Sequence, residues 1–193
     1  MRYSAEHKKE TRDRILRAAS RQVRARGAKG VAIADLMGKL EMTHGGFYRH
    51  FGSKEQLLVE AVVKGFEEVA AKQTWALAKA RPGRELRNII ELYLSPEHCA
   101  NPANGCPLAA LTSEIARYPR GLRGKIDRAL RKHLKPIARF LPGENEAERE
   151  RNCLILFSGM AGALNLARGM VDQESRDTLL EAAREFYVNA FCA

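Results

Sequence analysis

Apolar residues recur at helical spacing along almost the whole chain, and no stretch keeps the apolar–polar alternation that a half-buried strand requires. This periodicity predicts an all-α protein of about nine helices. The first spans residues 7–26, with Ile15, Ala19 and Val23 on one face and Gly27 where a C-terminal cap belongs. A short second helix at 33–40 turns Ile33, Leu36, Met37 and Leu40 inward. After Glu41 and Met42, Thr43 is suited to cap a third short helix at 44–50, which Phe47 and Phe51 anchor. Ser53 caps a long fourth helix from Lys54 to about Ala80, ended by Arg81-Pro82-Gly83. Further helices are predicted at 84–94, 107–118, 122–141, 144–170 and 174–191, with Pro136 placed to kink or shorten one of them. Residues 95–105, rich in Pro and Asn, read as the longest loop.

Composition narrows the function classes. The longest apolar run, 153–167, is too short to cross a membrane and is bracketed by Arg151 and Arg168. No apolar segment follows the basic residues near the start, so no secretory signal is read there. The 4 cysteines lack the density of a disulfide scaffold and the spacing of a zinc module. These features predict a soluble, cytoplasmic protein without membrane association, metal or cofactor. No Ser/His/Asp order, phosphate loop or carboxylate pair stands out, so an enzyme is not expected.

Charge is unevenly placed. Residues 1–55 carry 13 Lys/Arg against 6 Asp/Glu, and the remainder 20 against 17. A basic head on a nearly balanced body fits a phosphate-binding module, although charge alone also fits a solvated surface. Two short helices joined by a tight turn after a longer helix, all in the basic region, describe a helix-turn-helix. The recognition segment is then Thr-His-Gly-Gly-Phe-Tyr-Arg-His-Phe, residues 43–51. Gly45 and Gly46 each cost such a helix about 1 kcal/mol in propensity. Close approach of its backbone to DNA would account for them.

Residues 8–57, including TRDRILRAASRQVRARG and VAIADLMGKLEMTHGGFYRHFGSKEQLL, resemble the DNA-binding domain of TetR-type transcriptional regulators. The run Thr43-x-Gly45-x-Phe47-Tyr48-x-His50-Phe51-x-Ser53-Lys54 carries the resemblance into the fourth helix. It departs from the family at Glu41, where Gly is usual, and at Val31 and Ala32, where a hydroxyl residue opens the second helix. The first departure leaves two possibilities, a turn without positive φ or a strained one.

The resemblance implies a DNA-binding domain at 8–68, its helix-turn-helix at about 33–51, and a ligand-binding and dimerisation domain at 69–193. It implies that Thr43 caps the recognition helix and donates to a phosphate. His44 and Gly45 face base edges, Tyr48 bonds a phosphate through its hydroxyl, His50 lies near the DNA backbone, and Lys54 pairs with a phosphate. Lys8, Lys9 and Arg12 add long-range attraction. The implied partners are double-stranded DNA at a palindromic operator, a second copy of the chain, and a small apolar ligand.

Pairing has independent support. The last two helices carry more apolar residues than one side needs, and Gly159, Gly162 and Ala163 would let helices approach closely. Candidate ligand-lining residues are Trp75, Tyr93, Cys106, Leu111, Phe157 and Met160, although residues of these types more often form plain core. Cys106 precedes a helix, a position that lowers a thiol pKa. An alternative is therefore a DNA-binding regulator without a small ligand, responding to oxidants or electrophiles through Cys106. A helical interaction protein whose basic head serves another anion is a third class.

Overall fold

The computed structural model describes residues 5–192. Ten α-helices and one 3-10 turn account for the regular structure among them. The helices are α1 (Ala5–Arg26), α2 (Ile33–Gly38), α3 (His44–Phe47), α4 (Lys54–Lys79), α5 (Glu85–Tyr93), α6 (Pro96–Ala100), α7 (Pro107–Ile115), α8 (Arg120–Ala138), α9 (Glu146–Gly169) and α10 (Gln173–Phe191). The segment read as a loop contains α6 and the 3-10 turn Pro102–Asn104. Ser95 accepts a hydrogen bond from the His98 amide and Pro96 opens the helix, so even this short element has a conventional start. Pro136 sits inside α8 but only two residues before its end, so the helix loses little.

The long helix α4 organises the molecule. Its 26 residues extend about 39 Å, and it packs on α1 at one end and on α8 further along. One contiguous apolar core follows it, from Ile15 and Phe47 through Phe66 to Phe157 and Leu180. Gly65 makes the junction tight, because a Cβ there would stand 2.8 Å from Pro107 and 3.2 Å from the Ser20 hydroxyl. Gly27 ends α1 in the left-handed region at φ 71°, and its neighbour Ala28 donates its amide to Glu114 of α7 at 2.7 Å.

Arg24 is the exceptional core residue, 3% exposed despite its charge. Its guanidinium donates to the Ser20 carbonyl at 3.0 Å, to the Gly105 carbonyl at 2.9 Å and to the Glu68 carboxylate. One side chain thereby holds α1, α4 and the lead-in to α7. Around the same lead-in, His98 receives the Cys106 amide on Nε2 at 3.1 Å, which leaves the proton on Nδ1 to be donated to the Tyr93 carbonyl at 2.6 Å. Arg168 of α9 donates to the carbonyls of Cys99, at 3.2 Å, and His98, at 2.9 Å.

Two expectations follow from this core. Arg24→Ala removes one partner of a mostly buried ion pair and frees the Gly105 carbonyl. Because the Glu68 side chain keeps 23% exposure, the loss should lie at the low end for such pairs, about 3 kcal/mol. Urea unfolding measures it, and a loss below about 1 kcal/mol would mean that the three bonds contribute little.

The second concerns pH. Burial lowers the pKa of both His98 and His133 from 6.5 to about 4. Between those values the unfolded chain holds protons that the folded chain refuses, so stability falls as pH is lowered from 6.5 towards 4. Near pH 5 the two histidines should add about two protons to the uptake on unfolding. His133→Phe should remove about one of them, and an unchanged slope of stability against pH would show that His133 is not held neutral.

Candidate functional site

The recognition segment is short, and its neighbours hold it in place. Thr43 caps α3, its hydroxyl accepting from the Gly46 amide at 3.3 Å. The regular helix ends at Phe47, three residues before the expected end, and the chain continues in turns to His50. Phe47 and Phe51 stack at 5.5 Å in the core. The preceding turn is strained. Met42 donates to the Met37 carbonyl across Glu41, a Schellman closure, and Glu41 takes the left-handed conformation at φ 59°. A residue with a Cβ loses about 1–2 kcal/mol there. The open question at Glu41 is thus answered by a positive φ.

Arg12 has a different task from the one its charge suggests. It pairs with Glu60, stacks 4.7 Å over the Phe51 ring and reaches the His50 carbonyl at 3.4 Å. Glu60 also accepts from Gln56, and Gln56 accepts the Gly52 amide at 2.9 Å while Ser53 caps the Gln56 amide. This resembles a capping box, with Gln56 reaching the amide one residue before the Ser53 cap, extended into an ion pair. It fastens the end of the recognition segment to α1 and α4. Arg12 is therefore an anchor, its charge neutralised within the fold.

The other expected residues fall as follows. His44, Gly45 and Tyr48 are exposed on one stretch of surface, with Tyr48 63% exposed and the His44 ring edge-on to it at 5.8 Å. A Cβ on Gly45 would meet nothing within 4 Å, so this position is open to an incoming surface. Gly46 faces inward, 3.7 Å from Met37 by the same measure. Lys54 is half-buried at the first turn of α4. His50 is half-buried, its Nδ1 has no hydrogen-bond partner, and burial together with Lys8, Arg12 and Arg49 pushes its pKa down.

Between α1 and the recognition segment runs an open groove of about 580 Å³, lined by Lys8, Thr11, Arg14, Thr43, Arg49 and His50 among others. Arg14 and Arg49 were not singled out from sequence. Their exposure on facing elements is a property of the fold.

The candidate ligand residues divide. Tyr93, Cys106, Leu111, Phe157 and Met160 are buried in the core, with Tyr93 edge-on to Phe157 at 5.6 Å. Trp75 is not with them; it is 63% exposed, with the Lys79 ammonium 4.1 Å above its ring. Cys106 corrects an expectation. The amides of Leu108 and Ala109 do favour its thiolate, but burial outweighs them and pushes the thiol up. On the outer helices, Gly159 serves a contact within the chain, since a Cβ there would collide with the Tyr187 hydroxyl. Gly162 meets nothing, and Ile155, Leu166 and Phe186 stay exposed around it on α9 and α10. Among the described residues no group of three metal-ligating side chains converges, and no helix is long and apolar enough to cross a membrane.

Comparison with known proteins agrees with the geometry. Residues 15–61 match the profile of the bacterial regulatory proteins of the tetR family. An uncharacterised HTH-type transcriptional regulator of Mycobacterium tuberculosis is 34% identical over 105 residues, 53% of this chain and 52% of that protein. The chain thus spans about half the length of this relative. The HTH-type transcriptional repressor NemR of Escherichia coli is 24% identical over 148 residues, 75% of this chain and 72% of its own. Among solved structures, a TetR transcriptional regulator from Chloroflexus aurantiacus shares the fold with a TM-score of 0.74 at 24% identity, over 95% of both chains. The head at 15–61 thus matches the tetR family of bacterial regulatory proteins, and the whole chain shares the fold of solved TetR regulators.

Proposed function

We propose that this protein is a DNA-binding transcriptional regulator that occupies a palindromic operator in the cytoplasm as a homodimer and leaves it when a small, mainly apolar molecule enters the larger helical domain. The division into a head at 8–68 and a body at 69–193 is part of this reading. The observation that carries it is the exposure of His44, Gly45 and Tyr48 on a segment fastened by Arg12, beside a cationic groove of about 580 Å³. A rigid mount matters because base edges are read only when donors and acceptors are held in register. The groove suits the passing phosphate backbone, with Lys8, Arg14 and Arg49 as added counter-charges.

Repression is supported by the relative NemR, which is named a repressor. Release by an apolar ligand is supported by the apolar, aromatic surroundings of Tyr93, Phe157 and Met160. The alternative, sensing through Cys106, is less well supported. The thiol is 1% exposed and burial raises its pKa, whereas a reactive cysteine needs access and thiolate character.

Pairing is assigned to the outer face of α9 and α10. Leu166 is 60% exposed and Phe186 65%, more apolar surface than an unpaired helix pair usually leaves in water. Four helices at a two-fold axis would place the recognition segments about 34–36 Å apart, one turn of DNA.

Binding experiments on specific and random duplexes test the head. Tyr48→Phe keeps the ring and removes a phosphate bond, so affinity should fall by about 1.5–3 kcal/mol with the preferred sequence unchanged. His44→Ala should instead alter discrimination at one base pair per half-site, by about 1–3 kcal/mol. Lys54→Ala should weaken all duplexes alike and reduce the salt slope by about two per dimer. If Tyr48→Phe and Lys54→Ala both stay within about twofold of wild type, the segment does not dock in this way. For pairing, Leu166→Glu combined with Phe186→Glu should sediment as a monomer with unchanged helical content. A stable dimer in that variant would place the interface elsewhere.

A further inference from the structure

Two polar side chains deep in the larger helical body are poorly satisfied by the fold. His133 of α8 is 4% exposed and neither ring nitrogen makes a hydrogen bond among the described residues. The hydroxyl of Tyr93 on α5 is equally buried and makes none in good geometry; its polar neighbour is the Cys106 thiol, a weak partner. Folded cores seldom leave such groups poorly satisfied, because each has lost water and gained little in return.

The two are joined by aromatic rings. Phe157 of α9 stands between them, edge-on to Tyr93 at 5.6 Å and to His133 at 6.2 Å. Phe66 of α4 also lies against His133, at 5.6 Å. Four helices therefore contribute rings to one cluster that holds two poorly satisfied hydrogen-bonding groups. Met160, one turn beyond Phe157 and fully buried, is unbranched and adapts readily to a new neighbour. His133 owes its shift to burial alone and stays neutral, so the cluster offers an ionic ligand no counter-charge at that point.

We propose that this cluster binds an uncharged, flat aromatic molecule bearing a hydrogen-bonding group, a phenol or an aromatic carbonyl, which supplies the partner that His133 lacks and a stronger one for Tyr93 than the Cys106 thiol. Aromatic walls set the shape of the ligand, and the two polar groups set its polarity. Only the regulatory consequence of this site rests on the ligand-release reading above; the binding itself does not.

Isothermal titration of the full chain with 2-naphthol and its isostere 2-methylnaphthalene reads the preference directly. Wild type should favour 2-naphthol by about tenfold or more, since the hydroxyl completes a buried hydrogen bond that a methyl group cannot. In Tyr93→Phe and His133→Phe that preference should fall below about threefold, while the ligand-free thermal midpoint holds or rises, because each change deletes a poorly satisfied polar group from the core. A wild type that binds neither probe, or both equally, overturns the proposal. Lower midpoints in both variants also overturn it, since the two groups would then serve the fold. Operator binding separates the two readings. If 2-naphthol binds with the stated preference but leaves operator affinity unchanged, the site stands and ligand release does not. If 2-naphthol releases operator DNA equally from wild type and both variants, release stands and this site does not.

Discussion

The guanidinium of Arg24 is the contact on which the arrangement of the molecule turns. Removing a charged side chain from water costs several kcal/mol, and the geometry must return that loss through bonds of high quality. It does so with three acceptors drawn from different parts of the chain: Ser20 in α1, Glu68 in α4 and Gly105 ahead of α7. The pair cannot be satisfied by any one element alone. Gly65 and Pro107 close the same junction by packing, and Gly27 with Glu114 closes it from the other end of α7. The recognition segment is fixed to α1 and α4 through Arg12, so its position relative to the larger helical body is inherited from this junction.

That inheritance gives the proposed regulation a physical route. Tyr93, in the cluster assigned to a ligand, gives its carbonyl to His98, and His98 takes the amide of Cys106, whose neighbour Gly105 is held by Arg24. Every link is a backbone group or a side chain at least half-buried, so a displacement at one end has few soft places in which to dissipate. Coupling of this kind acts only if the ligand favours one of two arrangements of the junction, and it is reciprocal with DNA affinity.

Much of this was legible in the sequence, and the exceptions share a cause. Helical periodicity and breakers placed α1, α4, α9 and α10 within a few residues of their observed ends, because local pattern governs them. Thr43 and Ser53 were readable as caps for the same reason. Arg12 and Arg24 were not readable as anchors, since the partners that tie them to other elements lie between 38 and 81 residues away. A one-dimensional view assigns such a cation to solvent or to DNA. The pKa shift expected of Cys106 had the wrong sign for the same reason: its helix-start position is local and visible, but the depth of its burial is not. Trp75 was grouped with the ligand-lining candidates because of its type, although α4 turns it outward. His133 drew no notice, for a lone histidine in a helix says nothing until its surroundings are known.

The placement of Trp75 has a spectroscopic consequence. It is the single tryptophan of the chain, and its ring is solvated beneath the Lys79 ammonium. Its emission in the folded protein should already resemble that of a ring in water, so loss of the core shifts the spectrum little. The same ring rides on the far part of α4, the helix that packs against both α1 and α8. Intrinsic fluorescence is therefore a poor thermometer for unfolding in this chain, and a natural gauge of how the distal turns of α4 are disposed.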